Sequence, residues 1–135
     1  MITWVDKAVV LAIHDEQLAE HGGPVGTVDE NILESALAKP QNRLAYENIK
    51  LDIIDLAATY ALALAQRQSF ADGNKRVSAV VTELFLELNG FDLTAEDAEI
   101  VRVWRAIASK SMGDEEFLSW LRQHTVEKVQ EISQD

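Results

Sequence analysis

The chain has 135 residues, no cysteine and a formal net charge of −11 from 12 basic and 23 acidic side chains. The lack of cysteine excludes disulfides, thiolate metal sites and a cysteine nucleophile. The acidic balance disfavours direct nucleic-acid binding, because phosphate backbones are repelled. No signal-peptide pattern is present, and the most apolar stretch, 51–65, is shorter than the ~20 residues that span a bilayer. We therefore expect one cytoplasmic domain over residues 1–135, without a membrane partner.

The spacing of apolar residues predicts an all-α protein. They recur at three- and four-residue steps, and no long strand-type alternation is present. Gly22 and Gly90 are placed to end helices, because glycine adopts a positive φ at little cost. The predicted helices lie near residues 4–21, 28–38, 50–66, 74–89, 95–109 and 114–131, and the last has a second candidate end near Thr125.

Two of these segments determine the expected architecture. Segment 50–66 is apolar on almost every face, which is typical of a buried central helix. Segment 74–89 carries one apolar stripe, so we expect the two to pack as an antiparallel pair. The predicted fold is a compact helical bundle around this buried pair, whose connection is the loop 67–73.

This loop and the start of the next helix carry the main chemical signal. Residues 68–76 read QSFADGNKR, and Arg67, Lys75 and Arg76 form a basic cluster in an acidic chain. Free amides and the positive end of the helix dipole favour phosphate at such a helix start, and lysine and arginine add charge-assisted bonds. Asp72 supplies a hard carboxylate for Mg²⁺, and Gly73 permits close backbone approach.

The residues alone also fit an ordinary turn between helices. Asn74 is a common helix cap as well as a donor to phosphate, and Asp72-Gly73 is a common turn pair. Lys75 and Arg76 also suit a solvated surface. Phe70 fits a core anchor for the loop under either interpretation. Spacing by itself leaves the two interpretations open.

The loop also resembles the signature of the Fic/Doc family, His-x-Phe-x-(Asp/Asn)-(Ala/Gly)-Asn-(Gly/Lys)-Arg. Lysine after the asparagine marks the Doc branch of death-on-curing toxins, whereas glycine marks the Fic branch of AMP transferases. Similarity extends to His14-Asp15, the turn at 21–23, Asp29 with Leu33 and Ala36, and residues 45–47. It covers most of the chain up to about Gly90; the C-terminal third matches only in its helical character.

The resemblance implies a kinase of a toxin–antitoxin module. Doc-type members transfer a phosphoryl group from ATP, with Mg²⁺, to a threonine of translation elongation factor Tu. Carried over by position, Asp72 is the metal ligand, and Asn74, Lys75 and Arg76 hold phosphates and stabilise developing charge. Phe70 and Gly73 complete the implied nucleotide-binding set. Lys75 favours phosphoryl transfer over AMP transfer.

The sequence departs from the signature at its first position. The family has histidine there as the general base, whereas this chain has Gln68, which cannot take up a proton near neutral pH. Loss of a general base costs about 10²–10⁴-fold in rate. We favour an inactivated form of a functional toxin, because the other motif residues are intact. The alternative is a native member that binds without turnover.

Other assignments are predicted with less support from the motif. His14, inside the first helix, and His21, at its end, are interpreted as structural, although the sequence does not exclude that His14 faces the loop. The expected antitoxin binds as a helix in a groove whose position the sequence does not give. Segment 40–48 is a candidate flap over the loop. Two further alternatives are a Fic-type AMP transferase and an interaction module with a groove lined by Trp4, Trp104 and Trp120.

Overall fold

The computed structural model of the chain describes residues 1–22, 26, 28–47 and 49–129. These residues form six helices and two short strands. The helices are α1 (Lys7–His21), α2 (Glu30–Tyr46), α3 (Ile53–Ala65), α4 (Asn74–Leu88), α5 (Asp97–Ala108) and α6 (Asp114–Gln123), and the strands are β1 (Phe91–Leu93) and β2 (Thr125–Glu127). The predicted all-α class is confirmed. No helix in these ranges combines the length and the apolar character needed to cross a bilayer.

Helix α3 is the centre of the fold, as its composition predicts. Nine of its residues are buried, and α2, α4, α5 and α6 all pack against it. Its closest neighbour is α4, and the Ser78 hydroxyl of α4 donates to the Ala61 carbonyl of α3 at 2.7 Å. Ala61 lies four residues before the end of α3 and Ser78 four residues after the start of α4, so the pair is antiparallel and the loop joins two neighbouring helix ends.

Helix α2 is longer than predicted, because it continues through Pro40 to Tyr46. A proline inside a helix removes one backbone hydrogen bond. Here Leu33, Ala36, Leu37 and Pro40 form one buried stripe at helical spacing, and burial of that stripe against α3 offsets the loss. The boundary predicted at residue 38 is therefore wrong.

The C-terminal part also differs from the prediction. Helix α6 ends at Gln123, near the alternative end at Thr125, and the chain then forms β2. Strand β2 pairs antiparallel with β1, with Asp92 opposite Val126. Strand β1 follows Gly90, whose φ is 92°, and the φ of Gly22 is 70°, so both glycines follow a helix end with the predicted positive φ.

Candidate functional site

The motif loop is shaped by two residues at the start of α4. Gly73 precedes the helix with φ 84° and ψ 9°, a left-handed conformation that side chains disfavour. The Asn74 side chain turns back onto the loop: its Oδ1 accepts from the Phe70 backbone amide at 3.0 Å, and its Nδ2 donates to the Phe70 carbonyl at 2.8 Å. Gly73, not Asn74, therefore occupies the cap position, and Asn74 holds the loop closed.

His14 of α1 supports the same loop from the core side. It is 5% exposed, and its Nε2 lies 3.3 Å from the Asp72 carbonyl oxygen. Because a carbonyl only accepts, Nε2 carries the proton in this bond. The imidazole also stacks on the Phe70 ring, with centroids 3.9 Å apart and an 11° interplanar angle. His14 is structural, as predicted, and the structure shows that it faces the loop.

A third support comes from the chain just before α2. Val28 forms an isolated antiparallel bridge with Phe70, and the Asp29 amide donates to the Ser69 carbonyl at 2.8 Å. Gly26 packs so closely on Ala71 that an added Cβ would overlap the alanine side chain. The loop is thus fixed from α1, from the segment before α2 and from α4.

The open side of the loop faces a cavity of about 840 Å³. This volume is within the roughly 300–1,000 Å³ range of small-molecule sites. One wall is the motif region and the other is α5. The lining residues are Ala65, Gln66, Gln68, Ala71, Asp72, Gly73, Asn74, Lys75, Arg76, Ala79, Ile100, Val101, Trp104, Arg105, Ala108 and Ser109.

The charged groups of the motif are available to a ligand. Lys75, Arg76 and Asp72 are exposed and line the cavity, and none forms an ion pair or a side-chain hydrogen bond with any residue that the structure describes. Helix α4 also has no side chain capping its first amides. Anions are favoured at such a helix start. The arrangement can bind a polyphosphate, with Asp72 as the one carboxylate among the lining residues.

Two residues assigned from the sequence lie elsewhere. Arg67 extends to α2, where its Nη1 donates to the Ser35 hydroxyl at 2.9 Å, so it does not belong to the cation cluster of the cavity. Phe70 is 2% exposed and does not line this cavity. Phe70 packs against His14 and so anchors the loop; it is not placed to contact a ligand in this cavity.

Gln68 lines the cavity, at the position where the family signature has histidine. Its side chain is exposed, and its Oε1 lies 3.5 Å from Asn74 Nδ2. The amide therefore points toward the residue that closes the loop. A carboxamide at this point donates and accepts hydrogen bonds but does not take up a proton near neutral pH.

The predicted flap over the loop is wrong. Segment 40–46 is the last part of α2, and Arg43 donates to the Thr59 hydroxyl at 2.6 Å and pairs with Glu47. Ser35 contacts Arg67 beside the loop, and Arg43 is eight residues farther along the helix, about 12 Å away at 1.5 Å per residue. Segment 40–46 therefore packs along the middle of α3, and Asn48 lies outside the described residues.

The groove lined by three tryptophans is also not formed. Trp4 stacks on Phe85 near the end of α4, whereas Trp104 donates to Ser78 near its start. Trp120 packs edge-on against Trp104 in the core. The residues of the site that sequence reasoning missed are on α5, whose cavity face has an i, i+4, i+8 signal in Ile100, Trp104 and Ala108.

Similarity to known proteins agrees with this geometry. The chain is 37% identical over 81 residues to Protein kinase doc of Escherichia phage P1, covering 60% of this chain and 64% of the phage protein. It is 32% identical over 75 residues to Toxin Doc of Mycolicibacterium smegmatis, covering 56% and 58%. The matched segment thus spans less than two thirds of either relative. Both relatives carry the Doc name, as Lys75 predicts for the branch.

A family model described as Fic/DOC matches residues 4–86, which is more than half of the chain. The match extends from α1 through most of α4 and so includes His14, the loop, Lys75 and Arg76. It ends before β1 and the α5 wall. The residues that hold the loop, and the charged side chains of Asp72, Lys75 and Arg76, thus lie within the matched part. The chain belongs to the Fic/DOC family.

Proposed function

We propose that the chain is a Doc-like toxin of a toxin–antitoxin module, built for phosphoryl transfer from ATP to a threonine of elongation factor Tu. The observation that carries the proposal is the start of α4, which lacks a side-chain cap; there Lys75, Arg76 and the carboxylate of Asp72 share one cavity and have no partner among the described residues. The names of the two relatives support the toxin and kinase classes. The specific target and the nucleotide belong to the proposal.

Each group of the loop has a task in this reaction. The bond from the terminal phosphorus of ATP to its bridging oxygen breaks, and a bond from that phosphorus to the threonine oxygen forms. Lys75, Arg76 and the first amides of α4 hold the phosphate oxygens as negative charge shifts toward the leaving group. Asn74 keeps these groups in place through its two bonds to Phe70.

Asp72 fits a Mg²⁺ site on the grounds of its chemistry and its surroundings. Its carboxylate is an oxygen donor at the cavity without a partner in the part of the chain that the structure describes, and Mg²⁺ is commonly held by one or two carboxylates together with substrate phosphates and water. When bound, the ion supplies charge neutralisation at the phosphates. The His14 bond fixes the Asp72 backbone and thereby the position from which the carboxylate extends.

The threonine hydroxyl must lose a proton, and Gln68 does not accept it. We therefore propose that this chain is an inactivated form, whose binding machinery is intact and whose base is absent. The expected penalty for such a loss is about 10²–10⁴-fold in rate. Turnover should accordingly be restored by a single substitution of Gln68, which lines the cavity.

The test is the variant Gln68→His, assayed with elongation factor Tu and ATP labelled in the terminal phosphate. We expect label on the factor, addition of one phosphate by mass spectrometry, and arrest of growth on expression. Gln68→Ala is the matched control, because it changes the same exposed position without adding a base. A folded Gln68→His variant that binds ATP and leaves the factor unlabelled would contradict the proposed reaction.

A second candidate function is binding of nucleotide without turnover, which Gln68 itself favours. A member of this kind binds Mg-ATP and stays inert after Gln68→His. The AMP transferase is a weaker candidate because of Lys75, and it is separated by the larger mass that AMP adds to a target. Calorimetry with Mg-ATP distinguishes all three from a module that binds only protein, which would show neither heat nor a shift in unfolding midpoint.

The partner implied by this function is an antitoxin segment that docks as a helix in a groove of the toxin. Both the antitoxin and the cytoplasmic target belong to the proposal. Co-expression provides the test: the Gln68→His variant should arrest growth alone and be tolerated with its antitoxin.

A further inference from the structure

The second wall of the cavity is one face of α5, a helix that lies beyond the matched residues 4–86. Ile100, Val101, Trp104, Arg105 and Ala108 line the cavity, with the steps of three and four residues that place side chains on one helix face. Four of them are apolar. Arg105 is the only charged residue of α5 among the lining residues.

The α5 wall is held at a fixed place relative to the motif. Trp104 Nε1 donates to the Ser78 hydroxyl at 2.9 Å, one turn after the start of α4. From the other side, Gln66 Nε2 donates to the Ile107 carbonyl at 3.0 Å, just after the end of α3. Arg105 is next to Trp104 in the chain and two residues from Ile107. Its backbone is therefore anchored to both helices that carry the motif loop.

Arg105 is also electrostatically unusual in this chain. It is exposed and has no ion pair or side-chain hydrogen bond within the described ranges. One turn earlier, Arg102 pairs with Glu99 at 3.2 Å and does not line the cavity. With Lys75 and Arg76, Arg105 gives the cavity three cations against the single carboxylate of Asp72, in a chain whose net charge is −11. Such a concentration of positive charge suits a ligand with several negative charges.

We propose that Arg105 is a third cationic ligand of the phosphate chain and binds it from the α5 wall, across the cavity from Lys75 and Arg76. The inference rests on the proposed function, since it assigns a further residue to the same nucleotide. The planar guanidinium can hold two phosphate oxygens at once, which fixes the chain between the walls.

The experiment measures the affinity of the intact chain for Mg-ATP and for magnesium tripolyphosphate by calorimetry. Tripolyphosphate has no base or ribose, so it reports on the phosphate contacts alone. We expect Arg105→Gln to weaken both ligands by about tenfold or more, as loss of a charge-assisted bond implies. Arg105→Lys should recover part of the loss, because it keeps the charge without the fork. Arg102→Gln, on the same helix, should bind as the unmodified chain does.

Three results would overturn the assignment. One is unchanged affinity for both ligands in Arg105→Gln. Another is a loss for Mg-ATP alone, which would place Arg105 at the base or ribose. An equal loss in Arg102→Gln would indicate a general charge effect. Lys75→Ala distinguishes a failure of the proposed function from a failure of the Arg105 assignment. If Lys75→Ala retains full Mg-ATP affinity, the proposed function fails. If Lys75→Ala weakens Mg-ATP binding and Arg105→Gln does not, only the role of Arg105 is rejected.

Discussion

The N-termini of α3 and α4 differ in whether their charged side chains are paired with described residues. At α3, Asp52 accepts from the Asp55 amide and Asp55 accepts from the Asp52 amide, each at 2.9 Å, which forms a closed capping box. Arg122 of α6 then pairs with both carboxylates, at 2.7 and 3.1 Å. At α4, Gly73 offers no side-chain cap, and Lys75 and Arg76 have no partner among the described residues.

The difference separates groups that stabilise the fold from groups that are left open to the ligand we propose. Amides and charges satisfied inside the chain add to stability and have little left to offer to a solute. The open end at α4 gives up that stabilisation, and its loop is instead held by His14, Asn74 and the bridge at Val28. Substitutions at the start of α3 should therefore affect the stability of the fold, and substitutions at the start of α4 should affect nucleotide binding.

The largest expected effect is on nucleotide binding, from the double variant Lys75→Ala/Arg76→Ala. Removing both cations should weaken Mg-ATP affinity by about 100-fold or more, since each charge-assisted contact contributes about tenfold. The unfolding midpoint should change little, because both side chains are exposed and make no ion pair with any described residue. Calorimetry and thermal unfolding measure the two quantities on the same sample.

Arg122→Ala is the matched variant at the closed end. It should bind Mg-ATP normally and unfold at a lower temperature, because α6 loses its ion pairs to the start of α3. If Arg122→Ala weakened ATP binding as much as the double variant, the two helix ends would not be functionally distinct.

A smaller effect is expected from His14→Phe, which tests how the open end is supported. Phenylalanine keeps an aromatic ring for stacking on Phe70 but removes the bond to the Asp72 carbonyl. We expect a loss of about 1–2 kcal/mol in unfolding free energy and a several-fold weaker Mg-ATP affinity. Thermal unfolding and calorimetry provide both values.

His21→Phe is the control for this substitution, because His21 is exposed at the end of the same helix. It should leave both values unchanged. A His14→Phe variant with normal ATP affinity would mean that Asp72 keeps its place without the bond from α1.

The smallest effect concerns the pH dependence of the closed end. Partial burial opposes ionisation of Asp52, but hydrogen bonds from Arg122 and the Asp55 amide outweigh it and hold the pKa of its carboxyl at about 2, below the ordinary 3.8. A lowered pKa contributes stability above about pH 4, and this contribution is lost as the pH falls toward 2. Asp52 is 54% exposed, so the effect should be below about 1 kcal/mol.

The measurement compares unfolding midpoints of the unmodified chain and Arg122→Met between pH 7 and pH 2. The difference should be constant near neutral pH and shrink as Asp52 is protonated. A difference that stays the same down to pH 2 would show that the ion pair contributes nothing to the stability at this end.

The sequence predicts an element well where local residues determine it, and poorly where the element depends on contacts between residues far apart in the chain. Helix α4 begins at the predicted residue because glycine and the motif fix its start. The extension of α2 could have been predicted, since Pro40 continues the apolar stripe of Leu33 and Leu37. Strands β1 and β2 were not, because three-residue strands about 34 positions apart pair only after the helices have packed.

The candidate site shows the same limit. The motif gives the residues of one wall, because they are contiguous in the chain. It does not reveal that Arg67 turns to α2, since neighbouring residues of a loop point in different directions. The position of His14 depends on the rotation of α1 about its own axis, and that rotation is set by packing against α4 and not by any local pattern.

The antiparallel pair α3–α4 has a consequence for the order of folding. Its loop is short, so the entropy lost on closing it is small, and contacts between neighbouring segments form early. The α5 wall and the β1–β2 pair need much longer closures. We therefore expect a chain leaving the ribosome to assemble the motif side of the cavity first, and to complete the opposite side only when its last third has been synthesised.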